Sequence, residues 1–172
     1  AYAAGITTNV RVACARVKIP LLRLQEPPWV RVPGDNWIDV ADITEARDNA
    51  AEIASRVFVT TGRQAMADFA DDTRSWWLAR VISPGPDLPT LETGKYVYGR
   101  GPFDLTKERA LLRNNDITAI ISKNSGGAST HAKIVAARDL AIPVIMIARP
   151  VSDDAEQVAA ATDAIAWLQS VF

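Results

Sequence analysis

The amino-acid sequence predicts an α/β fold with a doubly wound, mainly parallel sheet. The first observation is the stretch 117–150, which reads as an apolar strand, a glycine-bearing loop, a helix and a second apolar strand, the order of a βαβ unit. The second is that strand, small-residue loop and helix recur in this order over 57–70 and 96–112. The third is the nearly continuous β-branched run in the strand at 117–121, typical of a strand buried on both faces.

Composition favours one domain over residues 1–172. The chain has 172 residues, of which 48% are apolar, enough for one full core and too few for two sizeable ones. Its 19 basic and 20 acidic residues give a net charge of −1, which offers no extended field for nucleic acid or an anionic membrane. Any anion site is therefore expected to be local.

The counts of cysteine and histidine and the hydropathy of the sequence exclude further classes of protein. Cys14 is the only cysteine, which excludes a disulfide framework and a thiolate metal cluster. His131 is the only histidine, which excludes a metal site built on several imidazoles. The sequence has no apolar run of membrane-spanning length and no signal-like segment, so we expect a cytoplasmic protein.

The first forty residues predict a helix followed by two short strands. Apolar residues recur at helical spacing over 6–14, and 20–24 then reads as a strand. A turn signal at 33–35 leads into a second strand at 37–40. A helix ahead of the first strand leads us to expect a further lobe on the N-terminal side.

The remaining elements follow from apolar runs and helix-capping residues. Asp42, with Glu45 three residues later, predicts the start of a helix that continues to Ser55. A further helix is expected from Leu105 to Asn114 or Asn115. The other predicted elements are strands at 57–61, 76–82, 96–98 and 144–147, and helical segments at 65–70 and 153–171.

The loop 123–127, KNSGG, reads as an anion site at the carboxyl edge of the sheet. Gly126 and Gly127 let the backbone approach a bound group, and Lys123 adds a full positive charge ahead of a helix that Ser129 or Thr130 is expected to cap. The alternative is an ordinary loop between strand and helix, in which the two glycines only make the turn.

Two further loops are expected at the same edge, because the carboxyl ends of parallel strands open on one side of a sheet. The residues expected to line a common crevice are Thr60, Thr61, Gly62, Arg63, Arg100, Gly101, Lys123, Ser125, Gly126 and Gly127. Three cationic side chains with several hydroxyls suit a nucleotide or a substrate with several carboxylates. If Arg63 or Arg100 is considered alone, the simpler interpretation is a surface arginine that is exposed to solvent and binds no ligand.

His131 follows the glycine loop at the start of a predicted helix. Three interpretations of this histidine are open: a phosphoryl carrier, an anion ligand, or only a residue at the N-terminus of a helix. The helix dipole at this end disfavours the charged imidazole, which favours the neutral form in the absence of a bound anion.

Four stretches of the chain resemble the precorrin-6A reductases, NADPH-dependent enzymes of corrin-ring (cobalamin) biosynthesis. They are PLLRLQEPPW at 20–29, VFVTTGRQ at 57–64, GRGPFDLTKERALLRNNDI at 99–117 and KNSGGASTHAKIVAARDLAIPVIMIARP at 123–150. The resemblance covers nearly the whole chain and implies a protein of two Rossmann-like lobes, in which NADPH reduces one double bond of precorrin-6A to give precorrin-6B.

The same resemblance implies roles for the loops. Residues 60–63 and 123–127 are expected at NADPH, with the substrate carboxylates as the alternative ligand of either loop, and Arg100, Gly101 and His131 are expected at the tetrapyrrole substrate. The N-terminal glycine-rich half typical of the family is missing here, and only Ala1-Tyr2-Ala3 remains of the stretch that ends it. Residues 1–40 are then an inter-domain region, and no catalytic acid is identified.

Two other functional classes stay open at this point. Residues 127–136 resemble the phosphohistidine loop of phosphoenolpyruvate-utilising swivelling domains, in which His131 would be the nucleophile. Lys133 replaces a small residue of that motif, and the resemblance covers only this short segment. A non-catalytic nucleotide-binding regulatory domain would use the same loops without a substrate pocket.

Overall fold

A computed structural model describes residues 4–150 and 156–171. The contacts divide the chain into two compact units. The first comprises Ala1–Trp29, Ser125–Gly127 and Arg149–Phe172, and the second comprises Val30–Asn124 and Ala128–Ala148. The expectation of one Rossmann-like domain with an inter-domain region over 1–40 stays a prediction. The remnant at Ala1-Tyr2-Ala3 lies outside the described residues.

The described residues form eight strands, five α-helices and one 3₁₀ helix. The strands are β1 (Arg23–Leu24), β2 (Trp37–Val40), β3 (Arg56–Val59), β4 (Trp76–Val81), β5 (Gly94–Tyr98), β6 (Ala119–Lys123), β7 (Val144–Ile147) and β8 (Gln157–Val158). The helices are α1 (Ala4–Val17), α2 (Ile43–Ile53), the 3₁₀ helix Arg63–Phe69, α3 (Leu105–Asn114), α4 (Ala132–Asp139) and α5 (Ala161–Val171).

The second unit contains a six-stranded sheet in the order β2-β7-β6-β3-β4-β5. Every neighbouring pair is parallel, which confirms the predicted α/β class with a parallel sheet. The chain runs outward from β3 through β4 to β5 and then returns to β6 on the other side of β3. The carboxyl ends of β3 and β6 therefore flank a topological switch point, where open α/β sheets bind ligands.

The core of this sheet follows from its apolar strands. Phe58 in β3 and Trp77 in β4 are completely buried, as are the apolar residues of β6 and most of β7. Phe69, from the 3₁₀ helix, packs edge-to-face on Trp77 with ring centroids 4.9 Å apart. Because both faces of these strands are covered, their sequences lack the alternation of polar and apolar residues seen in half-exposed strands.

The helix caps agree with the sequence at α2 and differ at α4. Asp42 caps α2 by accepting a hydrogen bond from the Glu45 backbone N–H at 2.9 Å, as predicted. For α4, the prediction that Ser129 or Thr130 caps the helix is wrong, because the N-cap residue is His131. Residues 128–131 form a turn closed by the His131 N–H on the Ala128 carbonyl, which places both hydroxyl residues before the helix.

The first unit contains α1, α5 and a two-stranded parallel sheet of β1 and β8. The prediction of a helix over 153–171 is wrong at 157–158, where backbone hydrogen bonds link Arg23 to Glu156 and Gln25 to Val158. α5 begins only at Ala161, and the predicted start at 153 lies outside the described residues. Within the described ranges, no helix combines the length and the apolar character needed to cross a bilayer.

Candidate functional site

A cavity of about 520 Å³ opens at the carboxyl edge of the six-stranded sheet, in the size range of small-molecule sites. The end of β4 and the residues that follow β3, β4 and β5 line it, together with Lys133 in the first turn of α4 and Thr130 in the turn before this helix. Five of the residues singled out in the sequence lie on its wall: Thr60, Gly62, Arg63, Arg100 and Gly101. The predicted convergence of the loops after β3 and β5 is therefore present in the structure.

The loop after β3 leaves its backbone open to the cavity. Thr60 ties the loop to β6, because its backbone N–H and its Oγ1 both donate to the Ile121 carbonyl, at 3.0 and 2.9 Å. Gly62 has a φ of +87° and nothing within 4 Å of the position where a Cβ would stand. Thr61 is buried, and its Oγ1 has no hydrogen-bond partner among the residues that the structure describes. A buried, unsatisfied hydroxyl is costly, but Thr61 is not among the residues that line the cavity.

Arg63 starts the 3₁₀ helix and is held at the cavity wall by the loop after β4. Its Nη2 donates to the Ser83 carbonyl at 2.6 Å. A Cβ added at Gly85 would lie 2.3 Å from Nη1, so only glycine leaves room for this placement of the guanidinium. The bond to Ser83 uses one of the five N–H donors of the side chain.

The loop after β5 brings Arg100 and Gly101 to the same cavity. Arg100 is exposed. Gly101 packs tightly on the turn before α4, since an added Cβ would lie 2.9 Å from the Ser129 carbonyl oxygen. The Phe103 backbone N–H also donates to that oxygen at 3.0 Å, which fixes the loop against the turn.

Sequence reasoning missed two charged residues on the cavity wall, Arg80 and Lys133. Arg80 in β4 forms a bidentate ion pair with Glu108 of α3, and Glu108 is 2% exposed. Its guanidinium carbon lies 4.7 Å from the ring centre of Phe58 and 4.0 Å from that of Phe103. The signal in the sequence was an arginine inside the apolar strand WWLARV. The sequence could not show that its partner is Glu108, which lies 28 residues away.

Lys133 is in the first turn of α4 and is 6% exposed. Its Nζ donates to the Thr130 carbonyl at 3.1 Å. The pKa of this amine is lowered to about 8, first by burial and then by the charge of Arg80, while Glu108 opposes the change. The signal in the sequence was a lysine next to Ile134, on the side of the helix that also buries Ala136 and Ala137.

Thr61 and Lys123, which the sequence placed in the same crevice, do not line this cavity, and neither does Asn124, which the family resemblance placed at the cofactor. Lys123 ends β6 and is half-buried, and desolvation lowers its pKa. The Asn124 N–H donates to the Ile147 carbonyl at 3.3 Å, which continues the pairing of β6 with β7. Ser125, Gly126 and Gly127 belong to the other compact unit, and their place at a ligand stays a prediction.

Both glycines of the KNSGG loop have a packing role within the first unit. Gly126 and Gly127 have φ values of +72° and +76°. An added Cβ would lie 2.1 Å from the Pro27 carbonyl oxygen at Gly126 and 1.6 Å from Glu26 Oε2 at Gly127. Trp29 Nε1 donates to the Gly127 carbonyl at 2.9 Å. The segment 26–29 therefore lies against this loop, with backbone as the obstacle to a side chain at Gly126 and the end of the Glu26 side chain as the obstacle at Gly127.

His131 does not line the cavity either, although its neighbour Thr130 does. Burial lowers its pKa, as do the nearby cations Arg138 and Lys133, whereas Asp35 raises it. Arg138 and Asp35 are themselves an ion pair at 2.8 Å. These surroundings favour a neutral imidazole at neutral pH, and the predicted substrate contact of His131 stays a prediction.

Together these features define a class: an α/β protein with a polar, cation-lined ligand cavity at the carboxyl edge of a parallel sheet. Comparison with known sequences narrows this class. The family described as Precorrin-6x reductase CbiJ/CobK matches residues 1–169. The chain belongs to that family.

Several relatives and a solved structure support the same placement. The chain is 42% identical to the precorrin-6A reductase of Rhodococcus erythropolis over 168 residues, which is 97% of this chain and 67% of that protein. It is 34% identical to the enzyme of the same name from Rhodobacter capsulatus, covering 97% of this chain and 66% of the relative. The corresponding protein of Mycobacterium tuberculosis is 44% identical over 150 residues, 87% of this chain and 60% of the relative.

A solved structure named CobK precorrin-6A reductase superposes with a TM-score of 0.89 at 34% identity, covering 98% of this chain and 67% of the other. The chain thus spans about two thirds of the length of these relatives. The family match also contains the whole segment 127–136 on which the phosphohistidine alternative depended. The resemblance of this segment to a phosphohistidine loop therefore no longer indicates a different class of protein.

Proposed function

We propose that this chain forms the greater part of a precorrin-6A reductase, which reduces precorrin-6A to precorrin-6B with NADPH in cobalamin biosynthesis. The observation that carries the proposal is the cavity of about 520 Å³, with Arg63 and Arg100 on its wall, in a chain of the precorrin-6x reductase family. Because the chain spans about two thirds of the length of its relatives, we propose the activity for the protein that contains this chain.

The residues at the cavity fit a phosphate-bearing cofactor and a substrate with carboxylates. The open backbone at Gly62 offers polar contacts at the loop after β3. The guanidinium groups of Arg63 and Arg100 offer the paired donors that phosphate and carboxylate groups accept. NADPH, when bound, supplies the hydride, and the chain's own residues bind, orient and exclude water.

The apolar part of the wall contributes to orientation. Val81, Ile82 and Phe103 line the cavity beside the charged groups. An apolar surface next to cations suits a ligand with a flat hydrophobic body and a charged periphery, the general form of a tetrapyrrole carrying carboxylates. Excluding water from such a surface also strengthens the charge-assisted hydrogen bonds at its rim.

The KNSGG loop remains part of the proposal as a second contact for cofactor or substrate. Lys123 stands at the carboxyl end of β6, beside the switch point of the sheet, where ligands of open α/β folds bind. Its amine is partly desolvated, which is suited to a close ion pair with an anion. The packing of segment 26–29 on Gly126 and Gly127 holds this loop in place.

The test is to incubate the full-length protein that contains this chain with precorrin-6A and NADPH under anaerobic conditions. We expect one NADPH to be oxidised for each molecule of precorrin-6B formed, the product carrying two more hydrogen atoms than the substrate. If the NADPH carries deuterium in place of the hydride that is transferred, one deuterium should appear in the product. A folded protein that binds neither compound and oxidises no NADPH would contradict the proposal.

A further inference from the structure

Lys133 is a charged residue at a buried position, where apolar side chains are more common. It is 6% exposed and is followed on α4 by Ile134, Ala136 and Ala137, all buried. Burying an ammonium group costs free energy that a leucine or methionine at this position would not. Lys133 nevertheless lines the cavity, and its Nζ lies 3.1 Å from the carbonyl oxygen of Thr130, another lining residue. Its presence there calls for a chemical explanation.

The residues around Lys133 hold its amine in place and act on it electrostatically. Its Nζ is anchored at 3.1 Å by the carbonyl of Thr130, which lines the same cavity. Arg80 of β4 and Glu108 of α3 act on it electrostatically from the neighbouring elements. Arg63 and Arg100 line the cavity as well, and His131 precedes Lys133 by two residues.

Reduction of a conjugated double bond by a hydride also needs a proton. The hydride bonds to one atom of the double bond, and the electron pair released on the conjugate atom forms a bond to the proton. The arginines on the cavity wall cannot supply it, because a guanidinium group in a protein does not give up its protons. Burial, followed by the charge of Arg80, brings the pKa of Lys133 to about 8, close to the pH at which a general acid works best.

We propose that Lys133 is the general acid of the reduction, a role that rests on the proposed function. Its ammonium N–H bond breaks as the new C–H bond forms on the substrate, and the neutral amine then regains a proton from solvent. The substrate thereby gains one hydride from NADPH and one proton from Lys133, which balances the two-electron reduction. The Thr130 carbonyl and the Arg80–Glu108 pair position the amine.

The first test compares Lys133→Met and Lys133→Arg with the control Lys107→Met in the full-length protein, Lys107 being exposed on α3. Both Lys133 variants should lose roughly a hundredfold to ten-thousandfold in kcat with little change in KM, because general acid catalysis is lost. Arginine keeps the positive charge but cannot release a proton. Full activity of Lys133→Arg, or a raised KM with unchanged kcat, would overturn the proposal and assign Lys133 to carboxylate binding.

The second test needs no variant and reads the amine directly. In protein labelled at the lysine side chains, the Lys133 signal should titrate by NMR with a midpoint near 8. Because the acid is the protonated form, kcat should be full at lower pH and fall as the pH rises through the same midpoint. A Lys133 signal titrating at the ordinary lysine value, with a kcat that stays flat through that range, would contradict the proposal.

The two proposals fail in distinguishable ways. If the wild-type protein reduces precorrin-6A and folded Lys133→Met is equally fast, only the role of Lys133 is wrong. If the wild-type protein binds both compounds and reduces nothing, the reductase assignment and the role of Lys133 fall together. The NMR titration reports the protonation of Lys133 in either case.

Discussion

Arg80 and Glu108 form a two-pronged ion pair between β4 and α3, with Nη2 to Oε1 at 2.6 Å and Nη1 to Oε2 at 3.0 Å. The Arg80 side chain is 12% exposed and that of Glu108 is 3% exposed. The guanidinium also lies over the rings of Phe58 and Phe103. The pair therefore connects the sheet, a helix and the loop after β5 at the cavity wall.

Removing one partner of this pair should destabilise the protein strongly. Glu108→Ala leaves the Arg80 guanidinium without its carboxylate in a mostly buried site, at a cost of about 3–5 kcal/mol in the free energy of unfolding. The double variant Arg80→Met/Glu108→Leu should recover most of that loss, because no charge is left buried. Urea unfolding of the single and double variants measures the coupling. A single-variant loss below about 1 kcal/mol, the range of a surface ion pair, would show that the pair is solvated.

The two glycines of the KNSGG loop should respond differently to alanine. Both have positive φ, which costs an alanine about 1–2 kcal/mol. At Gly127 the obstacle is the end of the Glu26 side chain, whereas at Gly126 it is the Pro27 carbonyl in the backbone. Thermal unfolding should show the larger loss for Gly126→Ala. Adding Glu26→Ala should partly rescue Gly127→Ala and leave Gly126→Ala unchanged, and equal losses with no rescue would refute this packing role.

Substitution of Lys123 should affect ligand binding more than folding. Its amine is half-buried at the end of β6, and a charge-assisted hydrogen bond is worth roughly 1.5–3 kcal/mol, so Lys123→Ala should weaken NADPH or substrate binding about ten- to a hundredfold. The melting temperature should stay close to that of the control Lys107→Ala. Calorimetric titration gives the affinities. A collapse in stability with unchanged affinity in the folded fraction would make Lys123 structural.

His131 should be dispensable for the chemistry. Its pKa is lowered by burial and by Arg138, so it is neutral at neutral pH, and the reductase needs no histidine nucleophile. His131→Asn should cost at most one hydrogen bond, about 0.5–1.5 kcal/mol in kcat/KM. Incubation with labelled phosphoenolpyruvate and its phosphotransfer enzymes should leave the wild-type chain unlabelled. Acid-labile phosphate on His131 would instead indicate a phosphoryl-carrier domain.

The inner strands β3, β4, β6 and β7 could be predicted because they are short, apolar and buried on both faces. The β1 and β8 pairing could not, since a two-residue strand has no period and 153–171 has an apolar pattern compatible with a helix. At the site, Arg63 and Arg100 were found because each follows a strand. Arg80, Glu108 and Lys133 were missed because a buried charge is explained only by partners that are distant in the sequence.

The central claim is that the cavity carrying Arg63 and Arg100 binds the charged ligands of a reductase, and steady-state reduction of precorrin-6A by NADPH tests it most directly. The full-length protein should be compared with Arg63→Ala/Arg100→Ala and with Arg113→Ala, an exposed arginine of α3 away from the cavity. Losing two charge-assisted contacts should lower kcat/KM by roughly a hundredfold to ten-thousandfold in the double variant, while Arg113→Ala matches the wild type. A double variant that folds and reduces precorrin-6A at the wild-type rate would contradict the claim.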